Sequence, residues 1–214
     1  MNTGKPLLFL IGARGSGKTA VAHALAARLC CSVCDADALV EQRAGKTIRE
    51  IFAEKGEAGF REREAAILRE VSGWRDHVIA TGGGVILRPE NRELLRRGHV
   101  VWLHAAPAVL WQRIQADTAT AERRPNLAQG GLAEVEALLA ARAALYEACA
   151  DVRIDTDNDS PEAVAERIIA WLTGGFQSEP RALASGVAPL ANARGSDWKP
   201  RQTANPATTP EPPV

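Results

Sequence analysis

The chain has 214 residues, of which 46% are hydrophobic, and its 26 Lys and Arg residues balance 26 Asp and Glu residues. This length suits one domain with a short appendage, and the apolar fraction is ample for a core. The zero net charge argues against a nucleic acid or an acidic membrane surface as partner, and no apolar run is long enough to span a membrane. The N-terminal apolar run is too short for a secretion signal, so we expect a cytoplasmic protein.

Short apolar runs alternate with helical patterns along residues 7–172. The apolar runs predict strands at Leu7–Ile11, Ser32–Asp35, His77–Ala80, 100–103 and Val152–Asp155. The helical patterns predict helices at Lys18–Leu29, at 38–71 with breaks near Gly45 and Gly56, and at 89–97, 107–115, 132–148 and Pro161–Leu172. This alternation predicts an α/β fold, a five-stranded parallel sheet with helices on both faces. Ligands bind such sheets beyond the carboxyl ends of the strands.

The composition changes after residue 173. Residues 174–214 are rich in Pro, Ala, Ser and Thr and carry few apolar residues. Such a segment cannot bury enough surface to offset its chain entropy, so we predict a disordered tail. The foldable domain is then 1–173.

The run from Gly12 to Thr19 follows the first strand and fits the pattern G-x-x-x-x-G-K-[ST]. A strand before it and a helix after it are the context in which this loop binds nucleotide phosphates through its backbone N–H groups. Lys18 would reach the β- and γ-phosphates, and the Thr19 hydroxyl would bind Mg²⁺. The predicted ATP contacts within the loop are Gly15, Ser16, Gly17, Lys18, Thr19 and Ala20.

Asp35 and Asp37 follow the second predicted strand. In an extended segment their carboxylates would point the same way. One could orient Mg²⁺ through water, and the other could accept a hydrogen bond from an attacking hydroxyl. The alternative is a turn in which the Asp residues act as local caps.

Three further patterns each admit a functional and a structural interpretation. In the charge run from Arg61 to Glu64, one arginine could face inward and bind a carboxylate, or the run could be a solvated helix face. The glycines at 82–84 indicate the close approach of a ligand, or a plain turn. Arg124 lies in the irregular segment 118–131 and could close over the phosphates from a flap, or lie on a surface loop.

The four cysteines include a C-x-x-C pair, Cys31 and Cys34. This spacing suits redox chemistry or half of a zinc site. A structural zinc site needs four ligands, and no second Cys or His pair follows at a suitable spacing. We therefore expect the cysteines to pack as small apolar residues.

In this order, the motifs closely resemble the shikimate kinase family over residues 7–172. The resemblance is carried by the phosphate loop, Asp35-Ala36-Asp37, Ile48 to Phe52, Gly56-Glu57, Phe60-Arg61-x-x-Glu64, Thr81 to Gly84, Arg124-Pro125, and Arg142 four residues before Tyr146. It implies a P-loop kinase fold like that of nucleoside monophosphate kinases, with a helical shikimate-binding region and a mobile lid at about 116–131. The activity implied is transfer of the ATP γ-phosphoryl group to the 3-hydroxyl of shikimate, with Mg²⁺ as cofactor. We expect a monomer.

The resemblance also assigns roles to residues. It implies that Lys18, Asp37 and Arg124 are catalytic, with Asp37 activating the hydroxyl and Arg124 descending from the lid onto the phosphates. Asp35 would act near the metal together with Thr19. The substrate contacts implied are Asp37, Arg61, Gly82, Gly83, Gly84 and Arg142, with the two arginines on the shikimate carboxylate.

The sequence departs from the family at Asn126, where a leucine is usual, and at Ala144, where a proline is usual. Two alternatives stay open. A kinase for another polyol acid, such as gluconate, would not need Asp37, Arg61 and Arg142 together with the glycine triplet. A nucleotide-binding regulatory protein without catalysis should lack a catalytic residue, and none is missing.

Overall fold

The structure is a computed structural model that describes residues 5–117 and 131–174. Its strands are β1 (Leu7–Ile11), β2 (Ser32–Asp35), β3 (His77–Ala80), β4 (His99–His104) and β5 (Val152–Asp155). Its helices are α1 (Lys18–Leu29), α2 (Ala36–Ala44), α3 (Ile48–Val71), α4 (Pro89–Leu95), α5 (Pro107–Ala116), α6 (Gly131–Cys149) and α7 (Pro161–Leu172), and a 3-10 turn covers Val85–Leu87.

Two predicted features lie largely outside these ranges. They are the lid, of which 118–130 with Arg124 is not described, and the tail from residue 175 onward. In the two ranges that are described, no helix combines the length and the apolar character needed to cross a membrane.

The five strands form one parallel sheet in the order β2-β3-β1-β4-β5. In central β1, Leu8 pairs with Val78 of β3 and with His99 of β4. Every residue of β1 is buried, as a strand with helices on both faces requires. The predicted α/β fold is therefore confirmed.

The side chains of β1 alternate between two hydrophobic clusters. Phe9 and Ile11 pack with residues of α2, α3 and α6, whereas Leu8 and Leu10 pack with residues of α1 and α7. Each face of the sheet is thus covered by its own helices. Because all strands are parallel, their carboxyl ends meet at one edge, where a ligand site can form.

The predicted breaks in the helical region 38–71 are confirmed. α2 ends before Gly45, and α3 begins after Thr47, which forms a capping box with Glu50. α3 is kinked at Gly56, where φ is 63° and ψ is −169°. The 3-10 turn was not predicted, since a three-residue element leaves no periodic pattern.

The C-x-x-C pair does not form one site. Cys34 packs against the cluster on the α3 side of the sheet, and Cys31 packs against the cluster on the α1 side. Burial, with a smaller effect of the Asp35 charge, raises the pKa of the Cys34 thiol to about 11, so this thiol stays protonated at neutral pH. Both cysteines act as small packing residues, whereas Cys30 is exposed.

Candidate active site

The loop at residues 12–19, between β1 and α1, surrounds the ammonium group of Lys18. Lys18 Nζ donates hydrogen bonds to the carbonyl oxygens of Gly12 and Ala13 at 3.0 and 2.8 Å. Lys18 is also the first residue of α1. Its charge therefore adds to the positive end of the helix dipole, which makes the loop a site for an anion.

Strand β4 and helix α5 pack directly against the backbone of this loop. A Cβ at Gly12 would lie 2.3 Å from the carbonyl oxygen of Leu103 in β4, and one at Gly15 would lie 2.7 Å from that of Leu110 in α5. Both positions therefore require glycine. These contacts hold the loop against the ends of β4 and α5.

Asp35 joins the loop to α2. One carboxylate oxygen accepts a hydrogen bond from the Thr19 hydroxyl at 2.8 Å, and the other accepts from the backbone N–H groups of Asp37 and Ala38 at 3.0 and 3.1 Å. The prediction that Asp35 and Asp37 alternate along an extended segment is wrong, because Asp35 caps α2 and Asp37 lies in its first turn. A side-chain cap satisfies helix N–H groups that would otherwise be unpaired, so the helix starts directly after the strand. Both carboxylates nevertheless line one cavity.

Arg61 is an inward-facing arginine of the charge run, and its side chain is only 13% exposed. Its Nη1 donates to Glu64 at 2.8 Å, and its Nη2 and Nε donate to Glu57 at 3.0 and 3.2 Å. Burial works to lower the pKa of the guanidinium, but the two carboxylates outweigh it and raise this pKa. Arg61 is thus a permanent positive charge in a fixed orientation, which suits recognition of an anion.

The glycine triplet at residues 82–84 lies between Arg61 and α6. A Cβ at Gly84 would lie 2.3 Å from Arg61 Nη1, so the guanidinium packs directly on this glycine. The carbonyl oxygen of Gly83 accepts hydrogen bonds from the Tyr146 hydroxyl at 2.5 Å and from Arg142 Nη1 at 3.4 Å. The triplet therefore brings the two predicted acid-binding arginines to one turn.

Tyr146 is fully buried and stacks on Trp102, with ring centroids 5.6 Å apart. Burial raises the pKa of Tyr146 to about 12, against the opposing charge of Arg142. An unfolded tyrosine ionises at about pH 10, so we expect the free energy of unfolding to fall as the pH rises from about 10 toward 12. The chain has one tyrosine, so the ultraviolet absorbance of tyrosinate reports this group alone.

The control for that titration is Tyr146→Phe. It should give no tyrosinate signal and should lower the free energy of unfolding by about 1 kcal/mol, because the Gly83 carbonyl loses its phenol donor. Ionisation of the folded wild-type phenol at its ordinary pKa would contradict the buried position of Tyr146.

A cavity of about 530 Å³ connects the phosphate loop with the two carboxylates and the glycine triplet. The predicted site residues in its wall are Gly15, Gly17, Lys18, Thr19, Ala20, Asp35, Asp37 and Gly83. Ser16, Gly82 and Gly84 are buried beside this wall. Arg61 and Arg142 are not part of this wall; they contact Gly84 and Gly83, respectively.

The cavity wall also contains residues that were not predicted as site residues: Arg14, His23, Ile48, Thr81, Arg113, Ile114 and Asp117. Arg113 of α5 donates to the side-chain and backbone oxygens of Thr156 at 3.0 and 2.5 Å, which ties α5 to the segment after β5. His23 lies four residues after Thr19 in α1, so helical spacing could have placed it on the same face. Nothing in the sequence distinguishes Arg113 from other helix arginines.

Comparison with known proteins points to one family. A sequence profile described as shikimate kinase matches residues 14–173. The shikimate kinase of Rhodopirellula baltica is 45% identical over 164 residues, covering 76% of this chain and 88% of the relative. That of Cupriavidus pinatubonensis is 43% identical over 185 residues, covering 85% of this chain and 94% of the relative. The structure of shikimate kinase from Acinetobacter baumannii in complex with shikimate superimposes with a TM-score of 0.75 at 34% identity, over 80% of this chain and 95% of that one. The chain belongs to the shikimate kinase family.

Proposed function

We propose that this chain transfers the γ-phosphoryl group of ATP to the 3-hydroxyl of shikimate, a step in the biosynthesis of aromatic amino acids. The observation that carries the proposal is the cavity that Lys18 and Thr19 share with Asp37. It combines an anion-binding loop with a carboxylate, and a kinase with an alcohol acceptor needs both. The bound shikimate of the Acinetobacter baumannii enzyme supports this choice of acceptor.

The strand order suggests where each part of the two substrates binds. β2 and β3, which lead to Asp35 and the glycine triplet, lie on one side of β1, and β4 and β5 lie on the other. We assign the acceptor to the β2–β3 side and the triphosphate to the loop after β1. The adenine base of ATP is assigned to the part of the cavity wall that Arg113 and Ile114 of α5 form.

Asp37 is assigned to the acceptor hydroxyl. The acceptor oxygen forms a bond to the γ-phosphorus while the bond from this phosphorus to the β–γ bridging oxygen breaks. The hydroxyl proton passes to the Asp37 carboxylate, and ADP leaves. The Lys18 ammonium stabilises the negative charge on the phosphoryl oxygens, because it is fixed before the reaction starts.

The oxygen atoms of Thr19 and Asp35 fit a magnesium ion. They are a hydroxyl and a carboxylate 2.8 Å apart beside the phosphate loop, and Mg²⁺ prefers oxygen ligands while keeping several of its waters. Thr19 would bind the ion directly and Asp35 would bind it through water. When bound, the ion neutralises phosphate charge.

The acceptor carboxylate is assigned to Arg61 and Arg142. Both side chains contact the glycine triplet, at Gly84 and Gly83 respectively, so two guanidinium groups lie close together beyond β3, and that of Arg61 is paired with two carboxylates. Such a pair favours an acid over a neutral polyol. Arg124 is assigned to the phosphates from the lid, where it would add positive charge.

The identity of the acceptor can be tested with an assay that couples ADP release to a change in absorbance. The assay is run with shikimate, with gluconate and without an acceptor. We expect shikimate alone to raise ADP release above the rate without acceptor. Faster release with gluconate than with shikimate would favour a kinase for another polyol acid. ATP binding without turnover on either acid would favour a regulatory protein. The monomeric state and the cytoplasmic location stay predictions from the sequence.

A further inference from the structure

Three polar side chains around the start of α4 donate hydrogen bonds to backbone carbonyls outside that helix. Arg92 Nη1 donates to Ile86 and Leu87 at 2.9 and 3.1 Å. Asn91, which is fully buried, donates from Nδ2 to Val85 at 3.0 Å. Arg88, just before α4, donates to the backbone carbonyl of Arg61 at 3.3 Å.

These bonds hold the 3-10 turn that continues directly from the glycine triplet. The N–H of Val85 donates to the Gly82 carbonyl at 3.1 Å, and the N–H of Leu87 donates to the Gly84 carbonyl at 3.0 Å. The orientation of the triplet therefore depends on the turn. Glycines have no side chains with which to fix themselves, and an isolated 3-10 turn has weak hydrogen-bond geometry.

Arg92 is the fourth of the seven residues of α4 and lies in the last turn of that helix. Its guanidinium reaches the last two carbonyls of the preceding 3-10 turn. A positive charge that binds the last carbonyls of a helical turn stabilises that turn.

We propose that Arg92, supported by Asn91, is a positioning residue for acid recognition, because it fixes the turn that holds Gly83 and Gly84 against the two acid-binding arginines. The inference rests on the proposed function, since it assigns Arg61 and Arg142 to the shikimate carboxylate. Loss of the Arg92 bonds lets the turn relax, and the surface on which the Arg61 guanidinium rests moves with it. The phosphate loop has its own contacts with β4 and α5, and it also lies beside Gly83, whose Cβ would be 3.4 Å from the Gly12 carbonyl oxygen and 3.6 Å from the Arg14 nitrogen.

The test compares Arg92→Met with Arg96→Met. Arg96 follows α4, is 67% exposed and pairs with Glu93, so it is the matched control for a lost charge. We expect Arg92→Met to raise the KM for shikimate about tenfold while the KM for ATP changes less than about twofold. Arg96→Met should match the wild type in both values. An unchanged KM for shikimate, or an equal rise in both KM values, would overturn the inference.

Arg92→Lys keeps the experiment decisive if Arg92→Met is too unstable to assay. A lysine ammonium lacks the planar fork of arginine, so we expect a partial rescue, with the KM for shikimate raised about threefold. No selective rise in this variant would also overturn the inference. Failure of the proposed function is visible separately, because the wild type would then release no ADP in response to shikimate.

Discussion

Asp37→Asn is expected to lower kcat with shikimate by roughly two to four orders of magnitude, while the affinity for ATP changes by less than about twofold. The amide has the size of the carboxylate but cannot take the hydroxyl proton. Asp37 lies in the first turn of α2, whereas the carbonyl oxygens of Gly12 and Ala13 in the loop hold Lys18. Steady-state kinetics and calorimetric titration with an ATP analogue measure the two quantities.

Asp76→Asn is the matched control for that substitution. Asp76 is exposed, precedes β3 and so lies at the amino edge of the sheet, away from the cavity. It should keep wild-type kinetics. If Asp37→Asn weakened ATP binding as much as turnover, the assignment of Asp37 to the acceptor hydroxyl would be wrong.

Gly84→Ala should raise the KM for shikimate roughly tenfold to a hundredfold and also lower the melting temperature. The backbone of Gly84, with φ −103° and ψ 4°, lies near the bridge region that alanine can adopt. The added Cβ would lie 2.3 Å from Arg61 Nη1 and 2.5 Å from Cζ, so the guanidinium must move. The displaced guanidinium is the one that pairs with the buried Glu64, so the acid-binding charge shifts and this ion pair is weakened at the same time.

Gly73→Ala controls for adding a methyl group to a glycine. Its Cβ would lie 3.6 Å from the Glu70 carbonyl oxygen, which is an ordinary contact, and the residue is exposed after α3. We expect no change in either KM. Normal shikimate binding by Gly84→Ala would show that Arg61 does not act from its position on Gly84.

The sheet could be predicted because burial on both faces leaves near-continuous apolar runs, of which Leu7–Ile11 is the clearest. The start of α2 was misplaced for a local reason. An aspartate such as Asp35 is compatible with the last position of a strand and with the cap of a helix. Which of the two it occupies depends on the backbone conformation. The apolar pattern alone therefore does not predict the residue at which α2 begins.

The site was predictable where its residues are close in the sequence. The phosphate loop needs only a strand, eight residues and a helix, and its pattern is therefore local. The choice of Arg61 within the charge run depends on Gly84 and Glu64, and the contact of Arg113 with Thr156 joins elements far apart in the chain. Such pairings follow from strand order and helix packing, so no local pattern reports them.

The rest position of Lys18 has a consequence for how phosphate is captured. The ammonium donates hydrogen bonds to the carbonyl oxygens of Gly12 and Ala13. It therefore loses part of its hydration when the chain folds. When a phosphate binds, the Lys18 ammonium exchanges two neutral carbonyl dipoles for a full negative charge. Fewer water molecules then have to leave the ammonium group. The ammonium group is therefore partly dehydrated during folding, and this cost is not repeated each time a nucleotide binds.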